Sequence, residues 1–266
     1  AVVIGNRDYR KGVPAVDFAG NDADAIRRYV IDVLGFREGN IMDLRDATLA
    51  RLIDVFGTEK SSNGRLSDWA RPGRSDVVVF YSGHGVPGLK DKRGYLLPVD
   101  GNPNRAEITG YPIDLLYANL SKIAARSLTV YLDTCFSGES AKGMLIRATS
   151  GLSVTPKLLR SSSKLTVLTA SRGDQVASWD EEAKQGLFTR HLLEALYGAA
   201  DRAGYGNGDG RGTVAEVKKY VDDVMTYQAR RRWGREQNAT VRGDGSRVLA
   251  TVPQGAPATS AGAGSR

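Results

Sequence analysis

Two residues in this chain have side chains that could do covalent chemistry together. Cys135 is the only cysteine, and it stands in "VYLDTCFSGES" (130–140), at the end of a β-branched and aromatic run. His84, one of two histidines, stands in "VVVFYSGHG" (77–85), again at the end of an apolar run. A thiol attacks as its thiolate, and a nearby imidazole can take its proton and later pass it to a leaving amine. Gly83 and Gly85 flank His84, and Gly138 follows Cys135 closely. Glycines let backbone approach a substrate, and free N–H groups there can hold an oxyanion. Taken singly, each residue has a plainer reading: a lone cysteine is usually an inert core residue, and a lone histidine is more often structural. Their shared placement, each just past an apolar run in a glycine-flanked turn, makes the pair a candidate. The other histidine, His191 in "LFTRHLLEAL", falls mid-helix and reads as a helix-surface residue.

For the two side chains to meet, the runs that carry them must be neighbouring strands. The pattern predicts strands over Ala1–Gly5, Ile41–Leu44, Asp76–Tyr81, Leu128–Leu132, Lys164–Thr169 and Arg247–Val252. It predicts helices over Asp22–Leu34, Thr48–Phe56, Asp114–Ala124, Gly186–Tyr197 and Thr213–Gln228, the last opened by a Thr213/Glu216 capping box. Short strands alternating with helices indicate an α/β fold with a mostly parallel sheet. In such sheets ligands bind beyond the carboxyl ends of the strands, where His84 and Cys135 both fall.

With 41% hydrophobic and 25% charged residues, the 266-residue chain has ordinary globular composition. One cysteine excludes an internal disulfide, and no run approaches the ~20 apolar residues of a membrane span. The chain starts at Ala1 inside an apolar run, without Met, which suggests a trimmed piece and leaves cytoplasm and periplasm both open. A net charge of +7 is a weak pointer to acidic partners. Arg230, Arg231, Arg232 and Arg235 could grip phosphates but read better as a solvated helix end, so neither nucleic acid nor membrane is an expected partner. Residues 139–163 are rich in Ser, Gly, Lys and Arg and read as a linker; residues 252–266 read as a low-complexity tail.

"YSGHG", followed about fifty residues later by "DTCFSG", resembles the caspase-like cysteine peptidases, and within them the metacaspases and orthocaspases. "AVVIGNRDY" is similar to the family's first strand, "GNDADAI" to its Asn-Asp helix start and "GLFTRHLLEAL" to its small-subunit helix. The resemblance spans residues 1–251. It implies a three-layer sandwich with a six-stranded, mostly parallel sheet. It also implies a large-subunit-like region over 1–138, a cleavable linker over 139–163 and a small-subunit-like region over 164–251. His84 and Cys135 match the catalytic dyad, and the N–H groups of Gly85 and Cys135 match the oxyanion hole.

Caspases carry Gln two residues before the Cys, where this chain has Asp133, and "SWD" puts Asp180 after Trp179 where caspases have arginine. The resemblance therefore implies an inverted pocket: Asp22, Asp133 and, less directly, Asp180 and Trp179 would bind Arg or Lys of a protein or peptide substrate. Each acid also has a plain reading, as a helix-start acid, a strand-end residue or a loop acid. Self-processing is expected in the linker, at Arg147 or Arg160, and a monomer by resemblance alone. No cofactor or metal is expected. Asp91, Asp100, Glu107 and Asp114 are scattered, whereas calcium wants 6–8 converging oxygens. "NGDGRGTVAE" (207–216) looks like a fragment of a calcium loop but has Tyr205 where the first acid should be. Two other functions compete. A cysteine phosphatase would need an Arg at position 141, which is Ala141. A catalytically silent scaffold of the same fold usually lacks the His or the Cys, and both are present.

Overall fold

The structure, a computed structural model, describes residues 1–10, 12–140, 143–146, 164–173 and 175–251. Six strands make the central sheet: β1 (Val2–Gly5), β2 (Met42–Arg45), β3 (Asp76–Ser82), β4 (Ser127–Asp133), β5 (Leu165–Thr169) and β6 (Thr240–Arg242). Their order in space is β2-β1-β3-β4-β5-β6, all parallel except β6, which runs antiparallel to β5. The α-helices among the described residues are α1 (Ala19–Asp32), α2 (Leu49–Phe56), α3 (Arg65–Trp69), α4 (Ala106–Thr109), α5 (Ile113–Lys122), α6 (Leu187–Leu196) and α7 (Val214–Trp233).

Strand alternation sorts these helices into layers. On β3, Val77, Val79 and Tyr81 join a core with Leu52, Phe56, Leu66, Leu116 and Leu120 of α2, α3 and α5. Val78 and Phe80 join the opposite core with Ile26, Phe188, Leu192, Val217 and Val221 of α1, α6 and α7. Successive side chains leave a strand on opposite faces, so a sheet buried on both sides reads as a continuous apolar run. The result is an α/β sandwich of three layers.

Several expectations need correction. The run at 247–252 forms a strand only over Val248–Thr251, and it pairs with Arg211–Thr213 outside the main sheet. The sixth sheet strand is instead β6, three half-buried residues at an edge, too short for either run length or alternation to mark it. Helix α7 opens with the Thr213/Glu216 capping box but runs past Gln228 to Trp233, where Gly234 ends it in the left-handed region. His191 is not on the surface: it is 2% exposed, because α7 covers the side of α6 that the sheet leaves open. Its Nδ1 meets Glu194 Oε2 and its Nε2 meets Gln228 Oε1, each at 2.7 Å. Three of the four clustered arginines turn onto the protein: Arg230 pairs with Glu236, Arg232 with Asp180 and Glu182, and Arg235 donates to Ser178 Oγ.

The linker begins as ordered structure. Glu139–Ser140 pairs with Gly143–Met144, and Leu145 and Ile146 are buried with Val86, Tyr95, Leu97 and Ala106. Arg147 and Arg160, like the tail 252–266, lie outside the described residues. No helix among the described residues is long and apolar enough to cross a membrane.

Arg247 closes the amino-terminal edge of β4 and β5. Its guanidinium donates to the carbonyls of Leu128 and Lys164 and to the hydroxyls of Thr166 and Thr129, at 2.7–3.0 Å. Hydrogen bonds from a charged donor are individually strong, so Arg247→Ala is expected to lower the unfolding free energy by about 2 kcal/mol, read from a denaturant melt.

Candidate active site

The register of the sheet brings the two candidate residues to one place. Ser82 at the end of β3 pairs with Asp133 at the end of β4, so His84 and Cys135 follow their paired strand ends at the same step. Gly83 N–H donates to the Asp133 carbonyl at 3.3 Å and extends the ladder one residue further.

His84 is held on several sides. Its N–H donates to Tyr9 Oη at 2.7 Å, its carbonyl accepts from Tyr81 Oη at 2.8 Å, and its ring lies 4.6 Å from the ring of Tyr9. Nε2 lies 2.7 Å from the Pro14 carbonyl. A carbonyl oxygen only accepts, so Nε2 carries the hydrogen and Nδ1 is the ring atom that can take a proton. The sequence reading missed Tyr9, Pro14 and Tyr81 as supports. Their signal was thin: Tyr81 ends the strand predicted over Asp76–Tyr81, and Tyr9 and Pro14 lie beyond the one predicted over Ala1–Gly5.

Cys135 is buried, and its thiol donates to the Glu139 carbonyl at 3.0 Å. Burial pushes the thiol pKa up and the charge of Asp133 adds to the rise, while the Ala177 N–H and the Ser137 hydroxyl oppose it. Gly138 turns the chain at φ 80°, in the left-handed region. A Cβ on Gly85 would lie 2.5 Å from the Cys135 carbonyl and 2.7 Å from Thr134 Oγ1, so only glycine brings that backbone against the loop that carries Cys135. The buried Thr134 hydroxyl has no partner among the described residues.

The two acids next to this pair come from different elements. Asp22, in the first turn of α1, accepts from Ser82 Oγ and from Gly186 N–H, both at 2.9 Å. Asp133 accepts from the Thr189 N–H at 3.0 Å and the Thr189 hydroxyl at 2.6 Å. Gly186 lies between them: a Cβ there would collide with Asp133 and come within 3.0 Å of Asp22. Burial, and then the charge of Asp133, drives the Asp22 pKa well above the carboxylate range, against the Gly186 and Ser82 donors. Burial pushes Asp133 to about 6 in spite of Thr189.

Asp22, His84, Asp133, Thr134, Cys135, Ser140 and Trp179 line one crevice of ≈ 20 Å³, room for about one water. Trp179 stands edge-on to Phe18, with ring centroids 6.0 Å apart. Larger surface hollows of ≈ 680 and ≈ 660 Å³ lie elsewhere and are lined by neither Cys nor His. Asp180 does not join the crevice. Its carboxylate is fully buried on Arg190, Arg232 and Gln228, because alternation along the short strand Trp179–Asp180 sends it to the face opposite Trp179.

The scattered acids have local partners. Asp91 accepts from Arg93 N–H and Tyr95 Oη, Glu107 from Lys90 N–H, Asp100 from Leu49 N–H, and Asp114 pairs with Arg93. In the glycine-rich loop before α7, Asp201 accepts the N–H groups of Gly208, Asp209 and Gly210. Among the described residues no three of His, Cys, Asp and Glu are grouped to hold a metal ion.

Residues 1–241 match the family model of the caspase domain, Peptidase_C14. The chain belongs to the caspase-domain family. It is therefore a cysteine-type peptidase domain whose substrates are proteins. No curated protein matches the sequence significantly. Among solved structures, the crystal structure of caspase-1 from Spodoptera frugiperda is similar at a TM-score of 0.60 and 13% identity, over 94% of this chain and 90% of that one. At that identity the likeness is one of fold. This caspase domain keeps the six-stranded sheet and its helical layers, with acids where the crevice meets the sheet ends.

The acid pair carries a stability cost with a definite sign. The folded carboxyl of Asp133, at about 6, lies above the unfolded value of about 3.9. Its contribution is therefore most favourable below about 4 and is lost as pH rises through about 6. Asp133→Asn keeps the Thr189 hydrogen bonds without the buried charge. It is expected to be more stable than the wild-type chain at pH 8 by on the order of 2 kcal/mol, with the gap closing toward pH 4. Thermal melts across that range are the check.

Proposed function

We propose that this caspase domain hydrolyses peptide bonds after Arg or Lys, with Cys135 as nucleophile and His84 as general base and acid. The observation that carries this reading is the crevice, where two buried carboxylates stand beside the only thiol and next to an imidazole. Nδ1 of His84 takes the thiol proton, and the thiolate sulfur bonds to the scissile carbonyl carbon. The oxyanion is met by the N–H groups of Gly85 and Cys135. The imidazolium then protonates the departing amine, and water hydrolyses the thioester with His84 as base.

The acid pair supplies specificity. Burial and the charge of Asp133 keep the Asp22 carboxyl protonated more readily than usual, a cation would relieve that, and a guanidinium can meet both acids through a planar fork. An ammonium acts as a single point charge, so Arg should be cleaved faster than Lys. An acidic side chain would add negative charge beside Asp133 and be rejected. The crevice is too small for an Arg side chain as it stands, so Trp179 and the segment around Ser140 must give way on binding. Through Glu139, that segment also accepts the Cys135 thiol hydrogen bond, which holds the thiol in its neutral form.

A peptide panel varying only the residue before the scissile bond tests the specificity. Arg should exceed Lys, and Asp should not turn over; preference for Asp would overturn the acid-pair reading. Cys135→Ala and His84→Ala should each lose several orders of magnitude in kcat while staying folded. Activity on Arg peptides should fall as pH drops through about 6, where Asp133 becomes protonated.

Self-processing at Arg147 or Arg160 follows from the same specificity, since both lie in the basic segment after the nucleophile. Mass spectrometry should find two fragments in the active chain and one intact chain in Cys135→Ala. An active but uncut chain would mean that activity does not require processing.

A further inference from the structure

Asp180 is absent from the crevice, yet its carboxylate gathers donors from three elements. Oδ1 accepts the N–H groups of Glu182 and Ala183 at 3.1 Å and Arg232 Nη1 at 3.3 Å. Oδ2 accepts Gln228 Nε2 at 2.8 Å and Arg190 Nη1. Gln228 and Arg232 lie on α7 and Arg190 on α6, so both helices grip one residue of the hairpin formed by Trp179–Asp180 and Gln185–Gly186. That hairpin has only two residue pairs, and its turn places Lys184 at φ 52°, in the left-handed region. Such a ribbon is marginal by itself and must be held from outside. One further tie runs from Asn21 Nδ2 to the Lys184 carbonyl at 2.8 Å.

The two ends of the hairpin are what the crevice uses. Trp179, next to Asp180, forms its wall, and Gly186 N–H donates to Asp22. We propose that Asp180, with Arg190, Arg232 and Gln228, is a positioning clamp that holds the hairpin in register with the specificity pocket. This rests on the acid-pair reading above. Where a pocket residue would contact substrate, Asp180 acts only through Trp179 and Gly186. Two guanidiniums offset its charge, so it adds nothing to the field that a cationic side chain meets. Burial pushes its carboxyl upward, but the Ala183 N–H, Gln228 and Arg190 outweigh burial and hold it below the usual range.

The test compares Asp180→Asn and Asp180→Glu with the wild-type chain in two readouts. The first is hydrogen exchange at the Gly186 amide, which needs no activity; Asp180→Asn should lose roughly tenfold in protection, and Glu should recover some of it. The second is kinetics on Arg and Lys peptides. Asp180→Asn should raise KM about five- to tenfold with kcat changed less than about threefold, and with the Arg-to-Lys ratio unchanged, because Asp22 and Asp133 are intact. Unchanged protection at Gly186, or lost protection with unchanged KM, overturns the clamp. A changed Arg-to-Lys ratio also overturns it, since Asp180 would then be touching substrate. If the wild-type chain rejects Arg peptides, the acid-pair reading falls and Gly186 protection alone decides the clamp. Should Asp180→Asn fail to fold, Arg232→Gln removes one guanidinium from the outer edge and gives the same two readouts.

Discussion

Asp22 and Asp133 are buried near one another with no basic side chain hydrogen-bonded to either among the described residues, and the surrounding structure answers to that constraint. A buried carboxylate is costly unless donors satisfy it, and a second one beside it adds repulsion. Four donors meet the pair: the Ser82 hydroxyl at the end of β3, the Gly186 N–H of the hairpin, and the N–H and hydroxyl of Thr189 in α6. Two stretches distant in sequence, the end of β3 and residues 186–189, must therefore converge within hydrogen-bonding distance of two residues. Gly186 must remain glycine because it passes between the carboxylates. Burial of two neighbouring acids gives up stability at neutral pH, because the Asp133 carboxyl, raised to about 6, must ionise out of water.

The thiol follows a related logic. Cys135 is buried beside that negative charge, which disfavours the thiolate, and its hydrogen goes to the Glu139 carbonyl. Burial of Leu145 and Ile146 in the cluster around Val86 and Tyr95 anchors the segment that supplies this acceptor. His84 is held on both sides, because Pro14 fixes the tautomer and the tyrosines fix the loop. The imidazole is held in place, whereas the thiol is buried and the crevice beside it is narrow.

Much of this was legible in the residues themselves. Strands such as "DVVVFY" are apolar without interruption, which identifies them as buried on both faces, and the helix periods between them imply a parallel, covered sheet. The thiol and the imidazole stood out because a lone reactive residue directly after such a strand must lie at the carboxyl edge of the sheet. The Thr213/Glu216 capping box was readable because its hydrogen bonds close within a single turn. These features depend on neighbours a few positions apart, and a linear pattern records them.

What the sequence could not decide are contacts between residues far apart along the chain. The partnership of Asp22 with Gly186, and of Asp133 with Thr189, depends on how α1 and α6 seat against one face of the sheet. Asp180 read as well for a pocket acid as for a loop acid; only the packing of α6 and α7 over the hairpin turned it onto arginines. His191 read as exposed because helical period defines one buried face, whereas α6 is covered by the sheet and by α7 together. The edge strand β6 had too few residues to make a pattern and exists because β5 offers it a ladder. Local chemistry in the sequence determined the elements and singled out the reactive pair; tertiary packing alone decided which charges face the crevice and which are neutralised behind it, because electrostatic partners are chosen by distance in space.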